Sequence, residues 1–130
     1  MYRCLLRALG GSLIAAALAA PAAAQGIRPF PQNALRGVMV VLDPPQVLMN
    51  GNAGQLAPGA RIRNQANLSE VSGSFINQKL LVNYTIDAAG QVRDVWILRP
   101  EEAAVRPWPS TIKEQQTWIF DPVNQVWSKP

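Results

Sequence analysis

Short apolar segments of strand character, separated by Gly, Pro and Asn, predict a mainly β fold: a small antiparallel barrel or sandwich of five to six short strands with an irregular, aromatic C-terminal tail. Two observations carry that prediction. From Lys79 to Ile86, Leu80, Val82, Tyr84 and Ile86 alternate with Leu81, Asn83 and Thr85, the period-2 pattern of a half-buried strand. Asn50-Gly51 is the dipeptide whose residues tolerate the positive φ angles of a type I′ hairpin turn.

The chain opens with the features of an export signal. Arg3 and Arg7 supply a positive start, Leu9 to Ala20 a short apolar stretch, and Ala22-Ala23-Ala24 a cleavage site between Ala24 and Gln25. A retained anchor is the rival reading. The run from Ala8 to Ala24 is mostly alanine, contains Gly10, Gly11 and Pro21, and falls short of the roughly 20 strongly apolar residues a spanning helix needs. Cys4 precedes the apolar stretch, so it is misplaced for lipid attachment at the cleavage point. The expectation is a periplasmic or secreted protein with no stable membrane span after cleavage.

Removing residues 1–24 takes the chain from 130 residues to 106 and discards its one cysteine, so disulfides and thiolate metal sites are excluded. One small domain held by burial alone is expected. The loss of Arg3 and Arg7 lowers the formal charge from +4 to +2, and no block of like charges remains. That excludes a nucleic-acid tail or a polybasic membrane clamp. Arg61 and Arg63 come nearest to a patch, at a spacing that puts both on one face of a strand. They read as solvated strand arginines or as a contact for an anion or acidic partner.

Residues 25–35 hold Gly26, Pro29 and Pro31 and read as an extended lead-in. The β domain then spans residues 36–98. Its first strand is the β-branched run Val38 to Leu42, from Arg36, stopped by Asp43-Pro44-Pro45. Gln46 to Met49 and a weak return limb, Asn52 to Leu56, flank the Asn50-Gly51 turn. Pro58-Gly59 is expected to begin another turn before Ala60 to Arg63. One irregular strand is expected across Asn64 to Ile76. Asp87-Ala88-Ala89-Gly90 reads as a type I turn, returning the Lys79–Ile86 strand as Val92 to Leu98. Both faces of that return strand are partly apolar, so one is expected to line the core and the other to lie under the tail.

The tail, residues 99–130, starts at Arg99-Pro100, with one helical turn over Glu101 to Val105. Thr111-x-x-Glu114 has capping-box spacing and predicts a short helix from Ile112 to about Thr117. Trp108, Trp118, Phe120 and Trp127 make this segment unusually aromatic. Either it folds back over the barrel and buries its indoles, or some remain exposed as partner anchors. Trp96, on a strand, reads as core.

The chain has no histidine, which excludes a Ser-His-Asp triad, a Cys-His pair and a His-ligated zinc site. Ser74 and Lys79 are available for a Ser/Lys dyad but lack Ser-x-x-Lys spacing. Asp43, Asp87 and Asp121 sit at turns, where such side chains hydrogen-bond backbone, and Asp94, Glu101 and Glu102 read as surface charges. A hydrolase would need two of these carboxylates facing each other in a cleft. The glycine spacings match no phosphate loop. Asn67-Leu68-Ser69 and Asn83-Tyr84-Thr85 match the glycan acceptor pattern by chance.

With Leu-Ala-Pro-Gly-Ala-Arg-Ile-Arg from Leu56 to Arg63 and the hairpin from Leu81 to Leu98, the chain resembles small exported periplasmic proteins of proteobacteria. That resemblance brings no catalytic residue with it. A second resemblance is to the C-terminal domain of TonB-type energy transducers. Phe30-Pro31 and Ala34 lie against a Tyr-Pro and Ala motif, Val82 to Leu98 against a hairpin, and Trp118-Ile119-Phe120-Asp121-Pro122 against a closing Trp-x-Phe-x-Pro motif. It implies docking of a partner strand on a sheet edge. Roughly 40 residues between the first strand and the hairpin, and a missing Pro-rich spacer, depart from that pattern.

Together these readings predict an exported, non-enzymatic binding or structural protein of the cell envelope, with no cofactor, metal or nucleic acid and with an envelope protein as partner. The alternative is an accessory subunit that docks to an envelope complex through its aromatic tail or a sheet edge. Trp108, Trp118, Phe120, Trp127, Arg61 and Arg63 are the candidate contacts.

Overall fold

The computed structural model describes residues 27–130; the predicted signal segment, with Ala24 and Gln25, lies outside the described residues. Strands β1 (Leu35–Val41), β2 (Gln46–Met49), β3 (Asn52–Arg63), β5 (Lys79–Ile86) and β6 (Val92–Ile97) close into a barrel. Around the ring β1 pairs with β2, β2 with β3, β3 with β6, β6 with β5 and β5 with β1. The two-residue β4 (Ser69–Glu70) extends β3 outside the ring.

The barrel is mixed, which corrects the antiparallel expectation: β3 and β6 run parallel. The cause is the crossing segment, residues 64–78. It carries the chain from β3 to the far side of β1, where β5 enters antiparallel, and the hairpin return then runs alongside β3 in the same direction. This order, with its single parallel pair, is that of the Greek-key OB-type barrel.

Turn chemistry sets the hairpins. Asn50 and Gly51 take φ of 52° and 82°, and Asn50 Oδ1 accepts from Val38 N, locking the β1–β2–β3 meander. A Cβ on Gly37 would meet that Asn50 side chain at 2.8 Å, so a larger residue there would have to displace the Asn50 amide from its place on Val38 N. Asp87 Oδ1 accepts from Ala89 N and Gln91 N, and Gly90 closes the β5–β6 turn at φ 80°.

Two expectations are corrected between β3 and β5. Pro58-Gly59 makes no turn; β3 continues through it as one strand, and the register with β6 shifts between Leu56 and Arg61. Pro58 lacks a ladder donor and Gly59 sits at φ 77°, so the pair bends the strand as a bulge does. The Asn64–Ile76 region is not one irregular strand. Asn64 Oδ1 accepts from Ala66 N and Leu68 N, β4 follows, and Ser72–Phe75 forms a 3-10 turn.

The interior is filled from both sides of the ring by Leu35, Met39, Val41, Val47, Leu56, Ile62, Val82, Tyr84, Val92, Val95 and Ile97. A second core lies outside the wall. There the lead-in, with Phe30 and Ala34, and the tail, with Trp108 and Trp127, pack on Leu98 and Trp96. The tail holds α1 (Pro100–Ala103), α2 (Ile112–Thr117) and a hairpin of β7 (Ile119–Asp121) with β8 (Val126–Ser128) that the sequence reading did not anticipate. Thr111 Oγ1 accepts from Glu114 N at 3.1 Å, and the Glu114 carboxylate accepts from Ser110 N at 3.1 Å.

Trp127 is 1 % exposed and stacks with Phe120 at 4.7 Å between ring centroids, with Trp108 edge-on to it at 6.1 Å. Trp127→Ala should therefore cost about 3–5 kcal/mol, read as a lower urea midpoint at unchanged m-value. Deleting Trp108 to Pro130 should give an aggregating chain; a folded, monomeric product would show that the second core is dispensable.

Candidate functional site

The lead-in and tail meet at a buried ion pair. Arg28 and Glu102 lie 2.7 Å apart, with side-chain exposures of 8 % and 0 %. The Glu102 carboxylate accepts from Arg28 N, Nε and Nη2 and from Arg99 N, and Arg28 also donates to the carbonyls of Asn64 and Ile97. Glu102 is thus no surface charge, a correction to the sequence reading. Burial pushes its carboxyl up, but hydrogen bonds from the Arg28 side chain, from Arg99 N and from Arg28 N, with the Arg28 charge, outweigh that and hold it below the usual value.

This pair fixes α1 against the outward face of β1 and β5. Arg36, outward on β1, donates from Nε to Asn83 Oδ1, from Nη1 to Val105 O and from Nη2 to Glu102 O, and lies 4.9 Å over the Trp108 ring. Burial lowers its guanidinium to about 10, opposed by the Glu102 charge and assisted by that of Arg106, so it stays charged at neutral pH. Trp108 Nε1 donates to Ala34 O, and Pro109 O accepts from Arg36 N, so the tail is stitched along β1.

Where the tail leaves the barrel wall, Arg36, Leu81, Ala103, Arg106, Pro107 and Trp108 line an open groove. Its apolar floor continues across the sheet. Val38, opposite Leu81 in the β1–β5 register, and Leu81 are each 40 % exposed, and Val40 pairs with a half-buried Leu48 on β2. Strands β1, β2 and β5 contain no Asp or Glu, while Arg36 and Lys79 stand on this same face.

A second concavity lies between the β1–β2 and β5–β6 connections, lined by Leu42, Gln46, Val47, Ala53, Gly54, Gln55, Ala89, Gly90 and Gln91. OB-type barrels bind oligonucleotides and oligosaccharides on this side. Here the polar side chains are neutral amides, with Gln91 Nε2 donating to Gln55 Oε1, and the lining supplies neither a stacking ring nor a phosphate-neutralising cation.

The residues singled out from sequence do not form one cluster. Trp108 and Trp127 are buried in the second core; Trp118 and Phe120 are half-buried beside them, with Lys129 Nζ 5.3 Å from the Trp118 ring. Arg61 is exposed. Arg63 is half-buried, 5.4 Å over Trp96 and 3.7 Å from Asp94. Asp43, Asp87 and Asp121 lie at turns, and among the described residues no group of three or more His, Cys, Asp or Glu side chains is placed to hold a metal ion. Asn83 is wholly buried and thus closed to glycan attachment.

Sequence reasoning passed over a Ser-x-x-Lys spacing at Ser110 and Lys113. The Ser110 hydroxyl donates to Glu114 on an exposed helix start. It also missed Arg36, Leu81 and Arg106. Only the outward parity of Arg36 and Leu81 on their strands marked them. No family model, curated protein or solved structure matches the chain.

Because the folded-state Glu102 carboxyl lies below its ordinary value of 4.5, its stabilisation is full above that value and is lost as pH falls through the folded value. Glu102→Gln should cost about 3–5 kcal/mol at pH 7 by leaving Arg28 uncompensated. Its urea midpoint should also fall less than that of the wild type between pH 6 and pH 3; parallel curves would show that Glu102 is not the linked group.

Proposed function

We propose that the chain is an exported, non-enzymatic binding module of the cell envelope whose contact surface is the outward face of β5, β1 and β2. The observation that carries the reading is the exposed Val38–Leu81 pair running into a groove that two guanidinium groups and an indole line. Exposed apolar area continuous with a concave, polar-rimmed site marks surfaces that meet partners. The signal-like N-terminus supports the compartment.

A second reading, an accessory subunit docking through its tail, is favoured by the β7–β8 hairpin. Ile119 is 68 %, Val123 87 % and Val126 40 % exposed, and each of the two strands keeps an edge unpaired among the described residues.

A photo-crosslinking amino acid placed at Leu81, at Ile119 and at the exposed control Arg93 tests both. In intact cells the Leu81 position should yield one discrete adduct in the osmotic-shock fraction, from a chain beginning at Gln25, and Arg93 should yield none. An adduct from Ile119 alone would support the accessory reading. A cytosolic chain retaining Met1 would overturn both.

A further inference from the structure

The groove beside Leu81 combines an apolar floor with two guanidinium groups and no lining carboxylate. Leu81, Ala103, Pro107 and Trp108 form the floor, Arg36 and Arg106 stand over it, and no Asp or Glu is among its lining residues. The carboxylate of Glu102, whose charge reaches Arg36, is held by Arg28 and by the Arg99 amide. Arg36 spends three N–H donors on Asn83, Val105 and Glu102 oxygens, and a guanidinium carries five. Lys79, exposed on β5 and opposite Val40, adds a third cation two residues from Leu81 on the same face.

The shape favours a chain over a lipid surface. A bilayer is engaged by apolar side chains that project from a convex surface. Here the cations border a concave groove, and Arg36 is drawn into it by carbonyl oxygens of the tail. Such a site suits a short side chain inserted from outside. The apolar strip that leaves the groove crosses from Leu81 to Val38 and on to Val40 and Leu48, one strand at a time, as an extended segment would follow it.

Resting on the binding-module reading above, we infer that this groove takes an extended polypeptide segment in which an Asp or Glu, seated at Arg36 and Arg106, lies next to an apolar side chain seated on Leu81 and Val38. The carboxylate receives charge-assisted hydrogen bonds from the guanidinium groups, and the neighbouring apolar side chain covers the exposed strip.

Selection of a random dodecapeptide display library on the purified protein tests the inference, with phosphatidylglycerol vesicles as the competing probe. Enriched peptides should share an acidic residue within two positions of Val, Leu or Ile, and should shift the backbone amide resonances of Leu81 and Ala103. Arg106→Gln, an exposed change, should weaken the best peptide roughly fivefold. Leu81→Glu should weaken it by roughly tenfold or more through like charge against the incoming carboxylate. No enrichment, enriched peptides without acidic residues, or unchanged affinity in Arg106→Gln each overturns it. Vesicle binding that both variants weaken, without peptide enrichment, overturns it in favour of lipid. A Leu81 adduct in cells alongside neutral selected peptides would retain the binding module and retire only the carboxylate chemistry.

Discussion

The buried pairing of Arg28 with Glu102 is the constraint on which the outer half of the molecule depends. Two charges out of water are tolerable only when nearly every donor and acceptor is matched, and here four donors converge on one carboxylate. Such a network accepts one geometry. It therefore fixes the lead-in, the loop at Asn64, the end of β6 at Ile97 and the start of α1 to one another.

From that fixed point the rest of the tail follows. With α1 held, the carbonyls of Glu102 and Val105 meet Arg36, and the chain then runs along β1 as far as Pro109. Trp108 is left facing Phe30, and the returning β7–β8 hairpin closes over both with Phe120 and Trp127. Gln125 completes the closure, accepting from Phe30 N at 2.9 Å. A barrel wall apolar on both faces thus acquires two cores, one enclosed by the ring and one trapped under the tail. The tail stops short of covering the whole outer face. What it leaves open is the Leu81–Val38 strip, bounded by the arginines that its own docking positioned.

Both the surface read as functional and the stability of the second core therefore rest on the same docking event. The aromatic rings are its structural material, and the exposed strip is its boundary. That separates the roles of residue types that look alike in sequence. Trp108 and Trp127 stabilise by burial, whereas Leu81 and Arg106, which carry weaker signals, stand where another molecule can reach them.

The β2–β3 and β5–β6 hairpins, their turns and the α2 cap were legible in the residues, because local chemistry decides them. Asn-Gly sets a turn whatever surrounds it, alternation sets which face of β5 is apolar, and Thr111 with Glu114 marks a helix start. Pro58-Gly59 was misread because the same two residues make a turn or a bulge according to whether a neighbouring strand extends past them. The parallel β3–β6 pair joins residues 33 to 36 positions apart, and the buried charge of Glu102 and the groove depend on residues more than 60 apart meeting in space, as Arg28 does with Glu102 and Arg36 with Val105. Sequence alone determined the β1, β2, β5 and β6 strands and the absence of histidine. Only the tertiary structure decided which arginines are matched and which apolar side chains stay in water, since that is settled by where the tail comes to rest.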